Sequence, residues 1–329
     1  MRRGTDVDEA ARVIRAGGLV AMPTETVYGL AADATQPAAI ARIYAAKGRP
    51  PAHPLIVHLA EDAALADWVD APPPMAAALA AAFWPGPLTL ILRRGARLPA
   101  ALSASSDTVG VRVPAHPLAQ MLLAAVDRPL AAPSANRFGA VSPTTADHVV
   151  AELGAAVDYV LDGGPCWVGV ESTIVDLTGA RPTMLRPGGV ARAELERVLQ
   201  QPLVDGGADA APAPGRLPSH YAPRAQVEAA TVDDALAVAR AAAARGERVA
   251  ILAGAARFRT WPALPDDVRG AVLPDDVAAA ARALFATLRE LDGAGVDRIV
   301  AVDGWGDGLG EAITDRLARA AGPRPQEPR

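Results

Sequence analysis

The sequence predicts an α/β protein, in which a larger domain on a twisted mixed sheet precedes a smaller Rossmann-like α/β domain. Three observations carry that prediction. At 329 residues the chain exceeds the usual size of one hydrophobic core. Up to about residue 200, short β-rich runs bounded by Pro and Gly alternate with helical stretches. After an aperiodic stretch, DGGADAAPAPGRLPSHYAPR, the alternation restarts as a compact βαβ unit. The expected organisation is therefore a first domain at 1–204, a semi-extended Pro/Gly/Ala-rich linker at 205–224 and a second domain at 225–329.

The elements follow in order. Residues 5–16 read as a helix, with Thr5 or Asp6 as N-cap and Gly17-Gly18 as its stop. Residues 19–22 form a short apolar strand that runs into PTETVYGL. Pro37 suits the first turn of a helix over 37–47 and Gly48 its end. PLIVHL (54–59), PLTLIL (87–92) and TVGVRV (108–113) read as strands, separated by helices near 75–83, 116–126 and 144–153. Strands at 157–161, 172–177 and 183–186 and a helix at 191–200 complete the domain. In the second domain, helices at 232–245 and 275–292 precede strands at 248–253 and 297–304, and GLGEAITDRLARAA closes the chain as a helix.

Composition excludes several function classes. With 51% hydrophobic but only 4% aromatic residues, Ala and Val must build most of the core. A net charge of −5 without a long basic run argues against strong direct nucleic-acid binding, which depends on neutralising phosphates. Cys166 is the single cysteine, so neither an intrachain disulfide nor a multi-cysteine zinc site can form. The N-terminus carries acids where a signal peptide needs an apolar stretch. The longest apolar run, 75–84, is half the roughly 20 residues of a membrane span, so a cytoplasmic protein without membrane partners is expected. HExxH, CxxC, GxGxxG and P-loop patterns are all missing, so no protein-held metal and no ordinary P-loop chemistry are expected. Of 32 basic residues, Lys47 alone is lysine, a compact ammonium among planar guanidinium groups.

Polar clusters punctuate the strand ends, where open α/β sheets place their ligand crevices. Thr24-Glu25-Thr26 can receive a small amino acid, or simply cap a turn. Lys47 and Arg49 bracket Gly48 at a helix end, where two cations can converge on one anion; a helix-dipole role fits Lys47 equally well. His53 and His58 flank PLIV. Thr108, Gly110 and Arg112 share one strand face, and Arg112 can grip a carboxylate or merely face solvent. Ser134, Asn136 and Ser142 lie in a small-residue loop able to approach phosphates, or to cap a helix. Glu171-Ser172 and Arg186 fall in two further turns.

In combination, PTETVYGL, AKGRP, HPLIVH, FWPGPLTLIL, DTVGVRVPAHP, AAPSANRFGAVSPT, GVESTIVDLT and LRPGG resemble, in order, the threonylcarbamoyl-AMP synthase family in its long form. They span roughly residues 10–200, the YrdC-like domain. PGRLPSHYAP and GLGEAITDRLARAA resemble that family's linker and C-terminal domain. The resemblance implies that L-threonine, bicarbonate or CO₂, and ATP yield threonylcarbamoyl-AMP and pyrophosphate for tRNA modification, with Mg²⁺ carried on the ATP phosphates. It also implies a tRNA threonylcarbamoyl transferase complex as the downstream partner. It assigns Thr26, His58, Arg112, Ala132 and Ser172 to threonine. It assigns Arg49, His53, Thr108, Ser134, Ser142, Arg186 and Tyr221 to ATP, and Lys47, Arg49, Ser134 and Asn136 to the catalytic centre. His53 departs from the family's frequent Asn. The linker around His220-Tyr221 is expected either to fold over the site as a lid or to act as a plain spacer. The rival readings are a non-enzymatic RNA-binding module and a hydrogenase-maturation type of carbamoyl transferase; the latter carries CxxC pairs that this chain cannot form.

Overall fold

A computed structural model describes residues 1–103, 106–207, 210–215 and 220–323. The chain divides into two compact units. The first comprises Met1–Phe138 and Ser142–Arg216, and the second Gly139–Val141 and Leu217–Arg329. The mixed sheet followed by a parallel-sheet unit is the class that the sequence predicts.

The first unit runs β1 (Arg2–Gly4), α1 (Val7–Arg15), β2 (Val20–Met22), β3 (Gly29–Asp33), α2 (Pro37–Lys47), β4 (Ile56–His58), α3 (Pro74–Phe83), β5 (Leu88–Arg93) and β6 (Thr108–Arg112). It continues through α4 (Pro117–Val126), β7 (Leu130–Ala131), α5 (Ala146–Leu153), β8 (Tyr159–Leu161), β9 (Thr173–Asp176), β10 (Thr183–Arg186), α6 (Arg192–Leu199) and β11 (Val204–Asp205). The strands form one 11-stranded sheet in the order β1-β8-β2-β3-β7-β4-β6-β5-β9-β10-β11. Local chemistry sets the ends. Asp6 caps α1 by accepting the Glu9 N–H (2.9 Å). Gly48, at φ +62°, supplies the left-handed turn that stops α2 immediately after Lys47.

The two faces of this sheet differ. On one, Ile40, Ile43 and Tyr44 of α2, Leu79 of α3, Val149 of α5 and Leu195 of α6 pack on Val57, Leu90, Val111 and Val175. Alternation along the strands sends the intervening residues to the other face. There α1 and α4 cover one end, where Ile14, Leu122 and Leu123 meet Val20, Leu130 and Tyr159. Ile56, Ile91, Ile174 and Leu185 form a second patch, met not by a helix but by Ala210, Ala211 and Ala213. Residues expected to be linker thus pack on the first unit. The remaining linker positions 208–209 and 216–219 lie outside the described residues.

The second unit contains β12 (Gln226–Ala230), α7 (Ala235–Ala243), β13 (Val249–Gly254), α8 (Ala255–Thr260), β14 (Val268–Leu273), α9 (Val277–Gly293), β15 (Arg298–Val302) and α10 (Leu309–Ala320). Its sheet is parallel, ordered β12-β15-β13-β14. Asp276 caps α9 through the Ala279 N–H (2.8 Å). No described helix is long and apolar enough to cross a membrane.

Candidate functional site

The patch without a helical cover is where the polar residues gather. Strands β4 and β6 run parallel with His58 opposite Arg112 and Ile56 opposite Gly110. Strand β5 runs antiparallel to β6 and parallel to β9, with Leu88 opposite Thr173. The ends of β4 and β6 therefore meet the starts of β5 and β9, bringing His58, Arg112, Gly86 and Ser172 to one edge of the sheet. Thr108 opens β6 and so lies toward the opposite edge, roughly 13 Å away along the strand at about 3.3 Å per residue. Between them Gly110 keeps the floor low. A Cβ there would stand 3.2 Å from Ile91 Cδ1, 3.3 Å from Thr89 Cγ2 and 3.4 Å from Ile56 Cγ1.

Arg112 organises the first edge. It is 4% exposed, and its Nη1 donates to Thr26 Oγ1 (2.9 Å) and its Nε to the Gly86 carbonyl (3.2 Å). The Thr24 hydroxyl donates to the Val27 carbonyl (2.6 Å), so the Thr26 hydroxyl must donate to Thr24 Oγ1 (2.8 Å) and accept from Arg112. Arg112 Nη2 meets Glu25 Oε1 at 2.5 Å as an ion contact that is not an aligned hydrogen bond. Glu25 Oε2 accepts the Ala115 N–H (3.1 Å). His58 Nδ1 is buried and has no hydrogen-bond partner among the described residues. Burial, then the Arg112 charge, pushes the His58 imidazole down to about 3, so it stays neutral. Ala132 is buried just after β7. Ser172 Oγ meets Thr89 Oγ1 (2.8 Å), and Arg186 donates from Nη2 to Ser172 Oγ (3.1 Å) and to its carbonyl (2.9 Å).

A second group forms where α2 ends. Lys47 is 3% exposed. Its Nζ donates to the Ser134 (2.5 Å) and Asn136 (2.6 Å) carbonyls, tying the small-residue loop to the helix end. Burial, with Arg49 adding to it and Glu152 opposing, holds the Lys47 ammonium well below the ordinary lysine range. The Arg49 guanidinium donates to the Pro54 carbonyl (2.8 Å) and lies 5.4 Å from the Phe138 ring centroid. His53 packs on the same ring at 5.0 Å. Ser142 Oγ donates to Glu171 Oε1 (2.5 Å), both residues being buried. Thr108 shares a hydroxyl contact with Ser106 (3.0 Å). Tyr221 belongs to the second unit, where it is buried against Phe285 and Arg316.

Gly86 was not singled out from sequence, and Glu25 and Glu171 were read only as members of polar clusters, without the partners they meet. Each acts through a partner distant in the chain, a relation that spacing does not reveal. PTETVYGL did offer one signal, an acid placed between two hydroxyls.

An α/β unit that leaves part of one sheet face without a helix, with polar residues at the strand ends, has the layout of a small-molecule-binding protein. Comparisons narrow the class. Residues 12–188 match the Sua5/YciO/YrdC family, described as "Telomere recombination", and residues 190–322 match the threonylcarbamoyl-AMP synthase C-terminal domain. The chain is 41% identical to the threonylcarbamoyl-AMP synthase of Pyrococcus abyssi, over 96% of this chain and 94% of that protein. It is 38% identical to that of Bacillus subtilis, over 97% and 93%. The crystal structure of P. abyssi Sua5 complexed with L-threonine superposes with a TM-score of 0.88 at 39% identity, covering 97% of this chain and 96% of that one. The chain belongs to the threonylcarbamoyl-AMP synthase family and is an enzyme.

Proposed function

We propose that the chain is an L-threonylcarbamoyladenylate synthase, a nucleotidyltransferase acting on L-threonine, bicarbonate or CO₂, and ATP. One observation carries this reading beside the family membership. Among the described residues His58 Nδ1 is a buried polar atom without a hydrogen-bond partner, in register with Arg112, whose Nη2 is held by an ion contact to Glu25. Leaving a group such as His58 Nδ1 unsatisfied costs about 1–3 kcal/mol, so a fixed imidazole beside a guanidinium calls for a polar ligand. Arg112 suits the threonine carboxylate, and neutral His58 suits its hydroxyl without a second charge. Thr26 and Ser172 line the same edge, and Ala132 lies beside Ile56, two residues along β4 from His58.

In the proposed reaction the threonine amine, after losing a proton, adds to CO₂ to give a carbamate. A carbamate oxygen then attacks the α-phosphorus of ATP, the bond from that phosphorus to the bridging oxygen breaks, and pyrophosphate leaves. Placement and electrostatics supply most of the catalysis in such transfers. Lys47, Arg49, Ser134 and Asn136 stand for the phosphoryl end; Thr108, Ser142, Arg186 and His53 stand for the rest of the nucleotide. Two of the three Lys47 ammonium N–H groups hold carbonyls, which leaves one for a phosphate oxygen. Among the described residues no group of three or more His, Cys, Asp or Glu can hold a metal. Mg²⁺ would be carried on the ATP phosphates, neutralising charge there. The product would pass to a tRNA threonylcarbamoyl transferase complex, and the work would be cytoplasmic.

The decisive assay is pyrophosphate release from ATP. It should require both threonine and bicarbonate; release independent of either would refute the reading.

A further inference from the structure

Neutral groups already hold Arg112 in place. The Gly86 carbonyl accepts from its Nε (3.2 Å) and the Thr26 hydroxyl from its Nη1 (2.9 Å). Glu25 adds a contact of another kind. Its Oε1 stands 2.5 Å from Arg112 Nη2, yet the pair lacks the alignment of a hydrogen bond. What Glu25 supplies there is charge rather than direction. The carboxylate is itself fixed. Its Oε2 accepts the Ala115 N–H (3.1 Å), and the Glu25 backbone carbonyl accepts the Val168 N–H (2.8 Å). Glu25 is 1% exposed, so salt and water screen it little.

The titratable groups beside this pair add no charge of their own. Burial pushes the Cys166 thiol up to about 12 and lowers the His116 imidazole, and it keeps His58 neutral as well. Arg186, bonded to Ser172, and Glu171, the sequence neighbour of Ser172, bring one group of each sign. A lone buried guanidinium would attract any small anion, and two of the three substrates proposed above, bicarbonate and ATP, are anions. A guanidinium balanced by a carboxylate suits instead a ligand that carries both signs on neighbouring atoms, as an α-amino acid does.

We propose that Glu25 is a specificity-determining residue: its carboxylate cancels the Arg112 charge, so this edge takes a zwitterionic α-amino acid and turns away anions of the same size. This rests on the threonine reading of the Arg112 edge. Of the five guanidinium N–H groups, those that Gly86 and Thr26 leave open serve the ligand carboxylate. The ammonium, one carbon away, is favoured by the Glu25 charge. Removing one of two opposite charges on the order of 6 Å apart, at an effective dielectric of about 20, changes affinity by roughly 10- to 100-fold.

The test is calorimetric titration of the full chain near neutral pH with L-threonine and with (R)-3-hydroxybutanoate. The second ligand keeps the carboxylate, hydroxyl and methyl group but lacks the amine. Wild type should prefer threonine. In Glu25→Gln, which keeps the bulk and an acceptor for the Ala115 N–H, that preference should fall roughly 10- to 100-fold. Affinity for the hydroxy acid should rise in absolute terms. Glu25→Asp, which keeps the charge, should retain most of the preference. A merely structural role would weaken both ligands together and leave their ratio unchanged, and that result overturns the proposal. Wild type binding the hydroxy acid as tightly as threonine overturns it too, whether or not the variants fold. In both cases threonine still binds and the threonine reading stands. If wild type binds no threonine, both fall.

Discussion

Replacing Arg112 by Ala should damage stability and substrate binding together, and the two losses can be separated. Arg112 and Glu25 are 4% and 1% exposed and meet at 2.5 Å. Removing the guanidinium leaves a buried carboxylate whose remaining hydrogen bond is the Ala115 N–H. Breaking a buried pair in this way costs roughly 3–5 kcal/mol. In a domain of this size that corresponds to a drop in Tm of roughly 6–20 °C. Threonine should lose a charge-assisted grip worth about 1.5–3 kcal/mol, or roughly 10- to 150-fold in Kd. The double variant Arg112→Met with Glu25→Gln removes both charges, so much of the stability should return while threonine binding does not. Denaturant melts and calorimetry on wild type and the two variants decide. A single variant that loses less than about 1 kcal/mol refutes the buried-pair argument. A double variant with wild-type threonine affinity refutes the carboxylate assignment.

Other outcomes follow from the same geometry. Lys47→Ala should lower turnover at least on the order of 10²-fold; Lys47→Arg should not restore it, because a planar fork cannot replace a compact ammonium between two carbonyls. Near-normal single-turnover rates in either variant would reduce Lys47 to a helix-end staple. Gly110→Ala should weaken ATP and threonine binding and cost about 1–3 kcal/mol of stability, since its Cβ crowds Ile91 and Thr89; unchanged melts and KM values would show that the floor gives way. His58 is neutral when folded, at about 3, whereas an unfolded histidine protonates below about 6.5. The unfolded state thus binds the extra proton, and stability falls as pH drops below that value, by at most about 1.4 kcal/mol per pH unit. Urea melts of His58→Gln between pH 7 and pH 4.5 should show a shallower acid loss than wild type.

Elements whose ends are written in single residues were legible before the structure. Pro37 and Gly48 bracket α2 to the residue, because one fixes φ at the first turn and the other alone among L-chain residues tolerates the left-handed stop without strain. Strand β6 was legible from its alternation. Strands β7, β12 and β14 were not. The first has two residues, too few for a period, and β14 reads VRGAVL, which buries three positions without alternating.

The site divides the same way. Arg112, His58 and Ser172 could be picked out as individual residues because they end or precede apolar strands. What joins them is the parallel pairing of β4 with β6 and the antiparallel turn into β5, and strand order is absent from local sequence. The aperiodic 205–224 stretch misleads for a related reason. Ala210, Ala211 and Ala213 carry no helical or strand period, yet small side chains are what fits over Ile56, Ile91, Ile174 and Leu185 where no helix covers them. A face left without helices has to be covered by something thin or filled by a ligand, and the Ala/Pro composition that reads as linker is equally the composition of a thin cover. The same strand pairing buries His58 Nδ1 beside Arg112 without a hydrogen-bond partner among the described residues, so the topology that hides the site from sequence is also what creates it.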